Sequence, residues 1–204
     1  MFVQTNTIKS IRSYLKDRLN DRFSENEIKI IGNEAICQRL GLSTSDLIGI
    51  NDQLLSESDL LYFRSIVKRL LNNEPFQYVV GSTHFYGLDL KCDERALIPR
   101  PETEELVDWV KEISPNSFKG SIVDLCTGSA CIALALKSQF LEGTVVGVDI
   151  SKAALDLARE NGERTGLEIY LNCFDVLDKE AYQSLDLVNS DGFDCWVSNP
   201  PYIP

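Results

Sequence analysis

The sequence predicts an α/β fold, a doubly wound parallel sheet that a small all-α bundle and a β-hairpin linker precede, and three observations carry the prediction. Helical spacing and helix caps fill residues 1–75, β texture broken by glycines fills 76–98, and strands alternate with helices over 99–204. The last pattern is the signature of parallel strands joined by helical crossovers.

In the first segment Ile8, Ile11, Leu15 and Leu19 keep a 3.6-residue spacing. Ser24 with Glu27 forms a capping box ahead of Ile28, Ile31, Ala35 and Leu40, and Gly41 supplies the stop. Ser43 with Asp46 opens a short third helix. Ser56 with Asp59 opens a fourth, whose Leu60, Phe63, Val67, Leu70 and Leu71 share one face until Asn72-Asn73-Glu74-Pro75 ends it. From Gln77 to Ile98, β-branched and aromatic residues punctuated by Gly81 and Gly87 suit a hairpin. Beyond Pro101 the order is helix 102–113, strand 121–125, helix 129–138, strand 144–150, helix 151–165, strand 167–173 and strand 193–198.

Composition narrows the function. With 204 residues and 44% hydrophobic content the chain can bury a real core. Its opening has neither a signal-peptide apolar run nor a transit-peptide makeup, and no 18 apolar residues run together, so a cytoplasmic location with no membrane association is expected. A formal net charge of −11 disfavours a nucleic-acid partner. The six cysteines form no C-x-x-C pair and the single His84 has no second histidine, so neither a disulfide framework nor a metal site is expected. His84 itself reads as a hydrogen-bonded or solvated hairpin residue.

The stretch SIVDLCTGSACIALAL is a buried strand, a tight turn at Thr127-Gly128-Ser129 and a helix, which brings backbone N–H groups and a helix start up to a ligand. Asp149 ends the next strand, where its carboxylate can accept hydrogen bonds from two ribose hydroxyls. One glycine in place of G-x-G-x-x-G disfavours a pyrophosphate and favours a nucleoside cofactor without one.

Loop, strand-end Asp149, Asp175-Val176 in CFDVL and the closing VSNPPYIP occur in an order that resembles S-adenosylmethionine-dependent N-methyltransferases. With LIPRPETEELVDWV ahead of the sheet and a helical segment before that, the whole chain closely resembles the protein-(glutamine-N5) methyltransferases that modify peptide-chain release factors. The resemblance implies a Rossmann-like domain and S-adenosyl-L-methionine held by Cys126, Thr127, Gly128, Ser129, Ala130, Asp149, Asp175, Val176 and Asn199. It implies a substrate glutamine, in the Gly-Gly-Gln context of a release factor, held by Asn199, Pro200, Pro201 and Tyr202, with Asn199, Pro200 and Tyr202 catalytic. The helical domain would grip the protein substrate, and Arg100, Glu102 and Thr103 would lie near the pocket.

An amide nitrogen is a poor nucleophile because its lone pair is delocalised into the carbonyl. The Asn199 side-chain oxygen and the Pro200 carbonyl would each accept one N–H and favour the pyramidal nitrogen, while Tyr202 gives a flat surface against the planar group. Two other readings stand beside this one: an adenine-N6 nucleic-acid methyltransferase, whose exocyclic amine poses the same problem, and a non-catalytic cofactor- or partner-binding fragment. The family continues past Pro-Pro-Tyr, so an N-terminal fragment with little turnover is expected. The family loop is close to D-x-G-T-G-S-G; here Cys126 and Ala130 occupy two glycine positions, and both are expected to avoid left-handed backbone geometry, leaving only Gly128 to adopt it.

Overall fold

The computed structural model describes residues 5–115 and 118–201. The chain divides into two compact units, Met1–Val80 and Gly81–Pro204.

The first unit is helical: α1 Ile8–Leu19, α2 Glu25–Leu40, α3 Glu57–Leu71 and α4 Phe76–Val80. Ile8, Ile11, Leu15 and Leu19 are all buried, as their spacing requires, and they pack with Ile28, Ile31, Ala35 and Ile36 of α2 and Phe63, Ile66, Val67 and Leu70 of α3. Each Ile, Leu, Val or Phe among them contributes about 1.5–3 kcal/mol on full burial. Both capping boxes form at α2 and α3, and Gly41 ends α2 in the left-handed region at φ 66°. The box at Ser43 and Asp46 also forms but opens only one 3-10 turn, Thr44–Leu47, none of whose residues is buried. No apolar face is available there to extend the turn into an α-helix. Phe76–Val80 is helical where the sequence reading begins β texture. The reason is burial: Val79 and Val80 fill the helical core, and the Arg69 guanidinium donates to the Tyr78 and Val79 carbonyls at 3.0 and 2.8 Å.

The second unit opens with a hairpin of β1 Ser82–Phe85 and β2 Leu88–Lys91, turned by Tyr86 and Gly87 at φ 49° and 80°. A 3-10 turn at Pro101–Thr103 leads into α5 Glu104–Ile113. Then come β3 Ser121–Leu125, α6 Cys131–Gln139, β4 Thr144–Asp149, α7 Lys152–Thr165, β5 Tyr170–Cys173 and β6 Cys195–Ser198. A 3-10 stretch, Ala181–Leu187, between β5 and β6 has no counterpart in the sequence reading. It carries one buried side chain, Leu185, too little periodicity to read.

The sheet is parallel in the order β5-β4-β3-β6. β3, β4 and β5 step outward in one direction and β6 then returns to the other side of β3. Strand order therefore reverses between β3 and β6, and in open α/β sheets that switch point opens a crevice at the carboxyl ends of the strands. Ile122, Ile132, Ala133, Leu134 and Leu136 lie in the core on one side of the sheet, and Val123, Val146, Val148 and Leu185 on the other. Among the described residues, no helix is long and apolar enough to cross a membrane, and no group of three His, Cys, Asp or Glu could hold a metal ion.

Candidate functional site

Several of the predicted residues lie at the carboxyl ends of these strands. Leu125 of β3 is in register with Ser198 of β6, and the Ser198 hydroxyl donates to the Leu125 carbonyl at 2.8 Å. The turn Cys126–Ala130 leaves the end of β3 beside Asn199, which leaves the end of β6. On the far side of β3, Asp149 ends β4 in register with Cys173 of β5, two residues before Asp175.

The turn departs from expectation. Cys126, Gly128 and Ala130 all take left-handed geometry, at φ 59°, 57° and 63°, so the two substituted positions keep the glycine conformation despite carrying a Cβ. Hydrogen bonding explains the outcome. Thr127 N–H donates to the Val148 carbonyl at 2.9 Å, Gly128 N–H to Asp149 Oδ2 at 2.9 Å, and Ala130 N–H back to the Thr127 carbonyl at 2.8 Å. Leaving a buried group of this kind unpaired costs about 1–3 kcal/mol. Left-handed geometry costs an L-residue about 1–2 kcal/mol. The bonds outweigh the strain, and Cys and Ala are small enough to be held there.

Asp149 is held by two backbone bonds that the sequence does not show. Its Oδ2 accepts Gly128 N–H and its Oδ1 accepts Ser151 N–H, both at 2.9 Å, which fixes the carboxylate between the turn and the start of α7. An ionised carboxylate has about four lone-pair sites, so acceptor capacity remains for two hydroxyls. Asp175 is exposed and its Oδ1 accepts Leu177 N–H at 2.9 Å; Val176 is half-buried and its carbonyl takes the Tyr182 hydroxyl at 2.9 Å.

Asp124, one strand residue before Leu125, is fully buried. Thr127 Oγ1 donates to its Oδ2 at 2.6 Å, whereas its Oδ1 has no hydrogen-bond partner. Burial pushes the Asp124 carboxyl up to about 7; the Thr127 hydroxyl and the Ala133 amide oppose the shift, and the Asp149 charge adds to it. Burial likewise raises the Cys126 thiol, with Asp149 adding to the effect.

On the β6 side, Asn199 Nδ2 donates to Thr103 Oγ1 at 3.2 Å. Arg100, Glu102, Thr103, Leu106 and Asn199 line a cavity of about 460 Å³. The segment that introduces α5 thus meets the strand-end asparagine, 96 residues later in the chain. Pro200 and Pro201 follow as exposed residues, and Tyr202 lies outside the described residues. A larger cavity, about 830 Å³, lies at the opposite edge of the sheet around Thr144, Gly162 and Tyr170, away from all of these groups.

Three positions stand apart from the predicted set or add to it. Asp124 and Asn161 are buried polar groups, the first hidden inside an apolar strand and the second inside a polar stretch of helix; the inward position of Asn161 after Leu157 and Ala158 is the one signal available. His84 is exposed and its Nδ1 meets Asp89 Oδ1 at 3.1 Å across the hairpin, away from the crevice. The six cysteines are all unbridged; Cys92 is buried and Cys173 is exposed.

Residues 103–203 match the Methyltransferase small domain family, and residues 10–81 match the PrmC N-terminal domain family. A release factor glutamine methyltransferase of Streptococcus pneumoniae is 40% identical over 168 residues, 79% of this chain and 55% of that protein. Those of Bacteroides thetaiotaomicron and Flavobacterium psychrophilum are 34% and 36% identical, over 95% and 96% of this chain and 66% and 67% of theirs. The chain spans 55 to 67% of the length of these curated relatives. A parallel sheet with its turn and Asn-Pro-Pro at the switch point, in a chain that such relatives match over 79 to 96% of its length, places it in the release factor glutamine methyltransferase family.

Proposed function

We propose that this chain is the part of a cytoplasmic enzyme that methylates the side-chain amide nitrogen of the glutamine in the Gly-Gly-Gln motif of a peptide-chain release factor. The observation that carries the reading is the placement of Asn199 and the Cys126–Ala130 turn on adjacent strand ends at the switch point. S-adenosyl-L-methionine is the methyl donor in this reading, and the residues present fit it. Asp149 has acceptor capacity for two ribose hydroxyls, and Asp149 and Asp175 give adjacent strand ends a negative field that suits a sulfonium cation.

When bound, the donor supplies an electrophilic methyl group. The protein's task is to present the amide nitrogen to it. Asn199 holds its own amide plane through the bond from Nδ2 to Thr103, and Oδ1 provides the kind of acceptor an incoming N–H requires. Pro200 has no N–H, so its carbonyl can accept the second substrate N–H with no competing donor on the same residue. With both N–H groups accepted in this way, Asn199 and Pro200 would hold the amide nitrogen in the pyramidal form facing the methyl group that the donor would supply, and the surplus proton would be lost from the nitrogen afterwards. No general base poised near pH 7 is needed before transfer. The helical unit is read as the grip on the protein substrate, and a formal charge of −11 supports a protein partner over nucleic acid.

The test is transfer of a radiolabelled methyl group to a release factor compared with its Gln→Ala variant in the Gly-Gly-Gln motif. With an enzyme of the relatives' full length, label confined to the unaltered factor is the expected result. Equal labelling of both, or labelling of adenine-containing DNA or RNA instead, would overturn the substrate.

A further inference from the structure

Asn161 sits in the third turn of α7 and is completely buried. Asparagine is a poor residue for a helix interior, and a buried amide is costly unless its groups are bonded. Here they are bonded to two other parts of the unit. Lys91 N–H donates to Asn161 Oδ1 at 2.6 Å, while Asn161 Nδ2 donates to the Lys91 carbonyl at 3.2 Å and to the Ser129 carbonyl at 3.1 Å. The side chain treats the last residue of β2 as a neighbouring strand would, using one acceptor and one donor. Its second donor goes into the middle of the strained turn.

Ser129 lies between Gly128 and Ala130, both left-handed, and is itself buried. The ties from Val148 and Asp149 hold the turn from the β4 side only. Asn161 holds it from the α7 side.

We infer that Asn161 is a positioning residue that locks the Cys126–Ala130 turn to the hairpin, so that the turn is shaped for its ligand before the ligand arrives. The ligand half of this rests on the methyl-donor reading above; the lock itself does not. A neighbouring residue supplies the contrast. Glu160 holds the same hairpin to the same helix, through Lys91 Nζ at 2.5 Å and Arg95 Nη1 at 2.8 Å, and makes no hydrogen bond to the turn. If helix–hairpin attachment alone mattered, the two residues would be equivalent.

The experiment measures hydrogen exchange of the Lys91, Gly128 and Ala130 amides, together with calorimetric binding of S-adenosylhomocysteine, in the unaltered chain and in Asn161→Ala, Asn161→Asp and Glu160→Gln. Asn161→Ala should speed exchange of the Gly128 and Ala130 amides at least tenfold and weaken binding at least tenfold. Asn161→Asp keeps the acceptor for Lys91 N–H but sets a carboxylate against two carbonyls, and should do at least as much. Glu160→Gln should move neither. Turn exchange within twofold of the unaltered chain in a folded Asn161→Ala protein overturns the lock, as does an equal effect of Glu160→Gln. Faster turn exchange with unchanged affinity overturns its role in binding. If neither Asn161 variant folds, the unaltered chain still decides: in low denaturant the Lys91 and Gly128 amides should open in one step with a common denaturant dependence, and independent opening overturns the proposal. Absence of binding by the unaltered chain would count against the methyl-donor reading, with the exchange data still deciding the lock.

Discussion

Ala130 shows how one residue balances opposing energies. Replacing it with glycine removes about 1–2 kcal/mol of left-handed strain. The change also gives up a buried methyl worth about 0.8 kcal/mol and adds about 0.5–1 kcal/mol of chain entropy. Ala130→Gly should therefore leave the denaturant midpoint close to its starting value. Ala130→Val adds branching at φ 63° in a fully buried site and should cost more than about 2 kcal/mol in the same measurement. At Asp149, Ala in place of the carboxylate should weaken binding of S-adenosylhomocysteine by about 1.5–3 kcal/mol, the loss of charge-assisted hydrogen bonds, as read by calorimetry. Unchanged affinity in a folded variant would remove the ribose role. In an enzyme of the relatives' full length, Asn199→Ala should lower kcat about 10²-fold, by analogy with deleting one oxyanion-hole partner, and leave cofactor affinity nearly intact. Asn199→Asp keeps an acceptor and should retain more activity than Ala. Full glutamine methylation by Asn199→Ala would refute the mechanism.

Elements in this chain are built by their ends. Helix α2 begins where the Ser24 side chain accepts Glu27 N–H and Glu27 Oε2 accepts Ser24 N–H at 2.8 Å. Ser24→Ala breaks half of that box and should lower stability by about 1 kcal/mol in chemical denaturation followed on the helical signal. A change below about 0.3 kcal/mol would mean that packing of Ile28 and Ile31 alone sets the helix start. The hairpin is anchored in a different way, by side chains of helices distant in sequence. Tyr86 N–H donates to Glu104 Oε1 at 2.8 Å and its hydroxyl donates to Asp108 Oδ1 at 2.6 Å, both on α5. Glu160 and Asn161 hold the other strand on α7. A four-residue strand pair is marginal by itself, so these anchors give the hairpin its place beside the sheet.

At the scale of the whole molecule, the titration of Asp124 couples stability to pH. Its carboxyl stands at about 7 in the folded chain against an ordinary value near 3.8, so the folded state holds the proton more tightly than the unfolded state. The stability linked to that proton is fully present below pH ~3.8 and is lost as pH rises through ~7. Glu160 acts with the opposite sign. Its bonds from Arg95 and Lys91 hold it down to about 2, so its contribution is present above its ordinary range and is lost as pH falls toward 2. Between pH ~5 and 7.5 the Asp124 effect stands apart, and denaturant midpoints should fall across that window. Asp124→Asn should flatten the profile. A midpoint that stays level or rises with pH across that window in the unaltered chain would show that Asp124 does not hold its proton there.

The sequence by itself determined most of the secondary elements and their order. Capping pairs such as Ser24 with Glu27 act within four residues, and Ile8, Ile11, Leu15 and Leu19 declare a buried face by spacing alone, because both effects are local. The turn residues, Asp149 and Asn199 were legible because their types recur in a known order. Tertiary structure alone decided what no local rule reaches. Phe76–Val80 became a helix because Val79 and Val80 are buried against a helical core. Cys126 and Ala130 entered the left-handed region because bonds to Val148 and Asp149, about 20 residues away in sequence, outweigh a local steric preference. Thr103 met Asn199 and Asn161 met Ser129 because the sheet brings distant segments to one end of its strands. Burial and long-range hydrogen bonds depend on what lies beside a residue in space, and the order of residues along the chain does not state that directly.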